Sequence, residues 1–156
     1  MKGDPKIIEA LNDVLTAELT AINQYYVHYK MCENWGYAGL ASHFREESIE
    51  EMKHADRVIE RVLFFDGVPN MQRLNPVKVG EKVPEQVQLA LELELENVKR
   101  LNDGIKLCAD SGDNGTRELF ETILKDEEDA VDWAEAQLGI IDEIGKDAYL
   151  AEQIHD

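Results

Sequence analysis

Glu46-Glu47-Ser48-Ile49-Glu50-Glu51-Met52-Lys53-His54-Ala55-Asp56 decides the fold, because it sets polar residues where a helix core should be. Counting outward from it, Leu40, Phe44, Glu47, Glu51, His54, Val58, Val62 and Phe65 recur at steps of four and three residues. That spacing puts all of them on one face of a helix. Two carboxylates and an imidazole therefore point where the flanking turns point Leu, Phe and Val. Burying unpaired charge costs several kcal/mol, so an inward Glu-Glu-His set needs partners or a cation.

The same interruption recurs in three other segments. Asp4-Pro5 is a helix start, an Asp cap with Pro at the first helical position. From it Ile8, Leu11, Leu15, Glu18, Ile22, Tyr25 and Tyr29 form one stripe that ends near Asn34-Trp35-Gly36. Pro84 opens a third helix, with Val87, Leu91, Glu94, Val98, Leu101, Ile105 and Cys108 on one face. Leu89 to Glu96 alternates like a strand, but the helical stripe continues on both sides, and Ala, Leu and Glu favour helix. After a turn at Ser111–Gly115, a fourth helix carries Phe120, Ile123, Glu127, Ala130 and Ala134 and is expected to close near Leu138-Gly139. A short fifth helix follows from Lys146 to about Ile154. Between Asp66 and Val83, Gly67, Pro69, Asn70, Pro76 and Gly80 break any helical period, and the connection is long enough to cross a bundle from end to end. The expectation is an all-α four-helix bundle with a long crossover between helices 2 and 3, forming one domain over residues 1–156.

Each long helix thus places a glutamate, Glu18, Glu51, Glu94 or Glu127, in its inward stripe near mid-length, and the second adds Glu47. Four carboxylates converging in a core repel one another unless protons or cations hold them. Glu51-x-x-His54 adds a nitrogen donor one turn along the same face, and oxygen plus imidazole donors suit iron or manganese. Carboxylate-bridged di-iron bundles combine one Glu from each of two helices with a Glu-x-x-His from each of the other two. Here the fourth helix reads Glu127-Glu128-Asp129-Ala130, with alanine where that pattern wants histidine. Glu128 and Asp129 lie roughly 100° and 200° round the helix from Glu127 and do not replace it.

The formal net charge of −17 argues against nucleic acid and anionic membrane as partners and favours cations. No apolar run approaches the roughly 18 residues of a membrane span. Met1-Lys2-Gly3-Asp4-Pro5 shows no signal-peptide core, so a cytoplasmic protein is expected. Cys32 and Cys108 have no metal-ligand spacing and read as small core residues.

The whole chain resembles the bacterioferritins, the haem-containing branch of the ferritins. The likeness is carried without apparent gaps by Met1-Lys2-Gly3-Asp4, Ala21-Ile22-Asn23-Gln24-Tyr25, Glu47 through Asp56, Asp126-Glu127-Glu128 and Tyr149-Leu150. It implies a ferritin-like bundle assembled into a hollow shell of twenty-four subunits, which takes up Fe(II), oxidises it with dioxygen or peroxide, and stores Fe(III) mineral. By the same resemblance, residues matching Glu18 and His54 hold one iron. Residues matching Glu94 and position 130 hold a second, and carboxylates matching Glu51 and Glu127 bridge them. The first position is complete here. The second lacks its nitrogen, so the ferroxidase step is expected to be weakened.

Spacing alone makes Met52 a surface methionine. The resemblance makes it the axial ligand of a b-type haem shared by two subunits, with a ferredoxin-like protein as an electron donor. Glu46 and Glu50 read as solvated, and Tyr25 and Trp133 as core residues close to the site. Ala130 also motivates an alternative, a haem-binding or structural subunit in a mixed shell with a second, ferroxidase-competent subunit type. A further rival is a monomeric or dimeric di-iron redox enzyme of the same fold.

Overall fold

The structure, a computed structural model, describes residues 1–156. It contains five helices: α1 (Pro5–Trp35), α2 (Ala38–Phe64), α3 (Val83–Ser111), α4 (Asn114–Ile144) and α5 (Lys146–Glu152). The start of α1 follows its sequence signal. Asp4 accepts a hydrogen bond from Lys6 N, and the helix stops at Gly36 with φ 87°. A left-handed residue there costs glycine little and lets its N–H reach the last carbonyls. Asp113 caps α4 by accepting from Thr116 N at 2.9 Å, which leaves only Gly112 and Asp113 between α3 and α4.

Two expected boundaries move. α4 continues through Gly139 to Ile144, and the positive-φ glycine that ends it is instead Gly145, at φ 86° and ψ 156°. Gly139 is exposed and lacks a positive φ, so it remains an ordinary, if weak, helical residue. The last helix ends at Glu152 rather than near Ile154.

α1 pairs antiparallel with α2, as shown by Ser48 Oγ donating to Ile22 O at 2.9 Å while the N-terminal amine reaches Phe64 O at 2.8 Å. α3 pairs antiparallel with α4, closely enough that a Cβ on Gly104 would meet the Phe120 ring at 2.8 Å. Across the bundle, α2 and α4 also run antiparallel. Arg61 Nε donates to Thr116 Oγ1 at 3.0 Å, His54 meets Asp126 at 2.8 Å, and His43 stacks on Trp133.

The crossover, residues 65–82, lies along α1. Asn12, Thr20, Gln24 and His28 accept in turn from the backbone N–H groups of Asn70, Asn75, Lys78 and Gly80. From Asn12 to His28 the helix rises about 24 Å, and four-residue steps keep these acceptors on one face. The crossover has no ladder of its own, so this polar stripe satisfies its backbone.

The apolar interior is split in two. One cluster gathers Ile7, Leu11, Val58, Leu101, Phe120 and Ile123, among others. The second gathers Tyr25, Leu40, Phe44, Val87, Ala134 and Tyr149 with their neighbours. Between them lies the level of Glu18, Glu51, Glu94 and Glu127.

Candidate metal centre

All four glutamates of the inward stripes are buried: Glu18 at 1%, Glu51 at 1%, Glu94 at 0% and Glu127 at 1% exposure. His54 joins them at 3%. Its Nδ1 lies 3.4 Å from Glu18 Oε2, 3.7 Å from Glu51 Oε2 and 3.2 Å from Glu127 Oε1. Two donors 3.2–3.7 Å apart subtend roughly 100–125° at a cation with ~2.1 Å bonds, close to tetrahedral. Donor atoms of Glu18, Glu51, His54 and Glu127 all fall within 4.8 Å of one another.

Each of the five residues keeps one buried donor atom without a hydrogen-bond partner: Glu18 Oε2, Glu51 Oε2, His54 Nδ1, Glu94 Oε2 and Glu127 Oε1. Buried polar atoms are nearly always paired, so five orphans at one level mark a place shaped for something that binds them. This donor set fits a first-row divalent cation, with carboxylate oxygens and one imidazole.

Protonation tells the same story. Burial raises Glu18, and the Glu127 charge raises it further. Burial and neighbouring carboxylates push Glu51 and Glu94 well above the ordinary range. Burial opposes the charge on Glu127 too, but the close polar groups of Glu94, His54 and Glu51 bring it down to about 2. Burial likewise opposes charge on His54, and the carboxylates of Glu127, Glu18 and Asp126 around its ring override that and raise it to about 11. Without a cation the centre is therefore held together by protons, with an imidazolium beside the one firmly ionised carboxylate.

Around these residues lie partners that the sequence pattern did not disclose. Asp126 Oδ2 accepts from His54 Nε2 at 2.8 Å, which turns Nδ1 toward the carboxylates. Asn97 Nδ2 donates to Glu127 Oε2 at 3.3 Å, and Arg100 in turn donates to Asn97 Oδ1 at 3.1 Å. Asn97 stands three residues after Glu94 on the same face, a signal that was present in the spacing. The contact of Asp126 depends on the α2–α4 register, which no local pattern encodes.

The other residues that the sequence singles out also have definite places. Tyr25 donates its hydroxyl to Glu94 Oε1 at 3.0 Å, and burial and the Glu94 charge keep the phenol protonated. Trp133 stacks on His43 with ring centroids 3.7 Å apart and 13° between planes. Glu47 turns toward the site but stays partly open, at 21% side-chain exposure, so it is less inward than the stripe implied. Burial, and then the Glu127 charge, pushes it up to about 7. Glu46 is exposed, Glu50 is half-buried, and Lys53 donates to Glu50 Oε1 at 3.0 Å. Met52 is 50% exposed on the outer side of α2. Ala130 is buried at 5%, so the position one turn beyond Glu127 presents a methyl group to the bundle interior. Cys32 and Cys108 are free and buried, as expected of core residues.

No helix is long and apolar enough to cross a membrane. The family model for the ferritin-like domain matches residues 8–144. The chain is 45% identical over 152 residues to a bacterioferritin of Mycolicibacterium paratuberculosis, covering 97% of this chain and 96% of that one. It is 46% identical over 151 residues to a bacterioferritin of Streptomyces coelicolor, with 97% and 90% covered. A bacterioferritin of Brucella melitensis is 44% identical over 149 residues, with 96% and 92% covered.

Proposed function

We propose a function from one premise: the chain belongs to the bacterioferritin family of ferritin-like proteins. It acts as an iron-storage subunit, with residues 1–156 forming a single ferritin-like domain that assembles with copies of itself into a hollow cytoplasmic shell. Fe(II) is its substrate and Fe(III) mineral its cargo. The observation that carries this reading is the set of five orphaned donor atoms at one buried level.

Glu18 and His54 take the first Fe(II), with Glu51 and Glu127 shared toward a second position that Glu94 faces. Asp126 holds the His54 ring with Nδ1 inward, and Asn97 steadies Glu127. Uptake displaces protons from Glu51 and Glu94, so affinity rises with pH. The net charge of −17 raises the local cation concentration. Dioxygen or peroxide accepts the electrons. Two neighbouring irons share that demand, and the absence of a nitrogen at position 130 leaves the second the weaker.

Met52 fits a haem ligand supplied by each of two chains. Its thioether is half-exposed, and Ile49 and Ile59, three residues before it and seven after it on the same face of α2, are only partly buried, which suits an apolar porphyrin edge. Thioether ligation stabilises ferrous haem and raises its potential, which suits electron relay from a ferredoxin-like donor.

One observation favours a second reading. The buried methyl of Ala130 suits a subunit that shares its shell with a ferroxidase-competent partner type. Sedimentation of the purified homopolymer, together with stopped-flow Fe(II) oxidation, tests both. A very large assembly with oxidation above the protein-free rate is the expected result. A large assembly without oxidation selects the mixed-shell subunit, and a monomer or dimer overturns the storage reading.

A further inference from the structure

Glu94, Asn97 and Arg100 follow one another at three-residue steps on α3 and so share a side of the helix. Glu94 and Asn97 are buried, at 0% and 4% exposure, and Arg100 is half-buried. Arg100 Nη1 donates to Asn97 Oδ1 at 3.1 Å, and Asn97 Nδ2 donates to Glu127 Oε2 at 3.3 Å. Both ends of the amide agree on its orientation. Turned over, its NH2 would face a guanidinium and its oxygen a carboxylate, so Arg100 fixes Asn97 as a donor toward Glu127.

The free donor atoms are shared unevenly in consequence. Glu18 Oε2, Glu51 Oε2 and Glu127 Oε1 lie 3.4, 3.7 and 3.2 Å from His54 Nδ1, and all four atoms are unpaired. They make the first position. Glu94 is outside that converging group, and its unpaired oxygen is Oε2, because Oε1 accepts from the Tyr25 hydroxyl. A second cation beside Glu94 draws on Glu127 through the oxygen not already facing His54, which is Oε2. That is the atom Asn97 holds. At 3.3 Å the bond exceeds the usual ~2.7–3.2 Å, so a cation can displace it.

We propose that Asn97, oriented by Arg100, is a positioning residue that commits Glu127 to the first cation, so that the second position fills only by displacing the amide. The inference rests on reading the Glu18–His54 cluster as a cation site. With Oε2 held, Glu127 serves one cation; with it released, the carboxylate spans two. The order of filling is thus built into α3 and does not depend on position 130 alone.

The test is anaerobic titration of the metal-free protein with Co(II), followed by visible absorption and by equilibrium dialysis, with excess Mg(II) present to occupy surface carboxylates. The parent is expected to take a tighter and a weaker Co(II) per chain. Asn97→Leu, nearly isosteric, removes the donor and should tighten the weaker Co(II) about tenfold, the lower end for a hydrogen bond to a charged group, without tightening the other. Asn97→Val, also donor-free but smaller, should do the same and guards against a packing defect in the first variant. At two Co(II) per chain, the added carboxylate bridge should deplete the uncoupled Co(II) signal in electron paramagnetic resonance below that of the parent, a change that altered packing alone does not produce. His54→Ala should remove the tighter Co(II). Failure of both Asn97 variants to tighten the weaker Co(II) overturns the inference while the underlying reading survives; a loosened second Co(II) would make the amide a ligand instead. A titration indifferent to His54→Ala overturns the underlying reading itself.

Discussion

Ala130→His should convert the weaker cation position into a strong one. The side chain at 130 is buried at 5% and lies one turn beyond Glu127, on the face that carries Phe120, Ile123 and Ala134 into the interior. An imidazole there completes a Glu-x-x-His pair with Glu127 and adds a neutral nitrogen to a position otherwise served by carboxylates. Losing even an outer partner of a metal ligand is worth ~10–100-fold in affinity or activity. Each tenfold is about 1.4 kcal/mol, so the second cation should gain roughly 1.4–2.7 kcal/mol. Against that stands the packing of a ring where a methyl was, which costs about 1–3 kcal/mol in the metal-free protein. The two effects separate in the assay. Thermal unfolding of the metal-free variant should show a lower midpoint, whereas stopped-flow absorbance should show faster oxidation of the first two Fe(II) per chain. If the parent already has a fast saturable phase that the variant does not improve, Ala130 is no deficiency and the account of the second position is wrong.

Met52→Leu should abolish binding of added haem, about one per two chains in the parent, while leaving assembly size unchanged; an unaltered haem spectrum would reject the ligand assignment. The metal-free protein should lose stability as pH rises. His54 is raised from 6.5 to about 11 by its carboxylate partners despite burial, so its contribution is complete below pH 6.5 and is lost toward pH 11. Burial raises Glu18, Glu51 and Glu94, which act in the same direction, and Co(II) should flatten the profile of unfolding midpoint against pH. Gly104→Ala should destabilise by a net ~1 kcal/mol, because its Cβ would meet the fully buried Phe120 ring, which outweighs the gain in helix propensity; a raised midpoint would contradict that packing.

Much of the fold was legible because every long helix carries an apolar stripe broken by glutamate, and some add end signals. Asp4-Pro5 and Gly36 delimit α1 as their chemistry requires. Gly139 misled, since a glycine ends a helix where its backbone leaves helical geometry, and that happened six residues later at Gly145, with φ 86°. The stripe Asn12, Thr16, Thr20, Gln24 and His28 was not legible as a docking strip for the crossover. Polar residues at four-residue spacing look like a solvated face until something without a ladder of its own lies against them. Asp126 escaped for a related reason. Its role arises from which turn of α2 faces which turn of α4, a register set by packing of the two apolar clusters.

The charge of the centre explains why a missing histidine need not empty the second position. Glu18, Glu51, Glu94 and Glu127 are four buried carboxylates, and two divalent cations would neutralise all of them. One cation leaves two carboxylates to be satisfied by protons, and burial already pushes Glu51 and Glu94 toward holding protons. A histidine ligand is neutral when it binds, so replacing it by alanine changes the number of donors and leaves that electrostatic demand untouched. The second cation is therefore still drawn in by charge and held less firmly for want of a nitrogen.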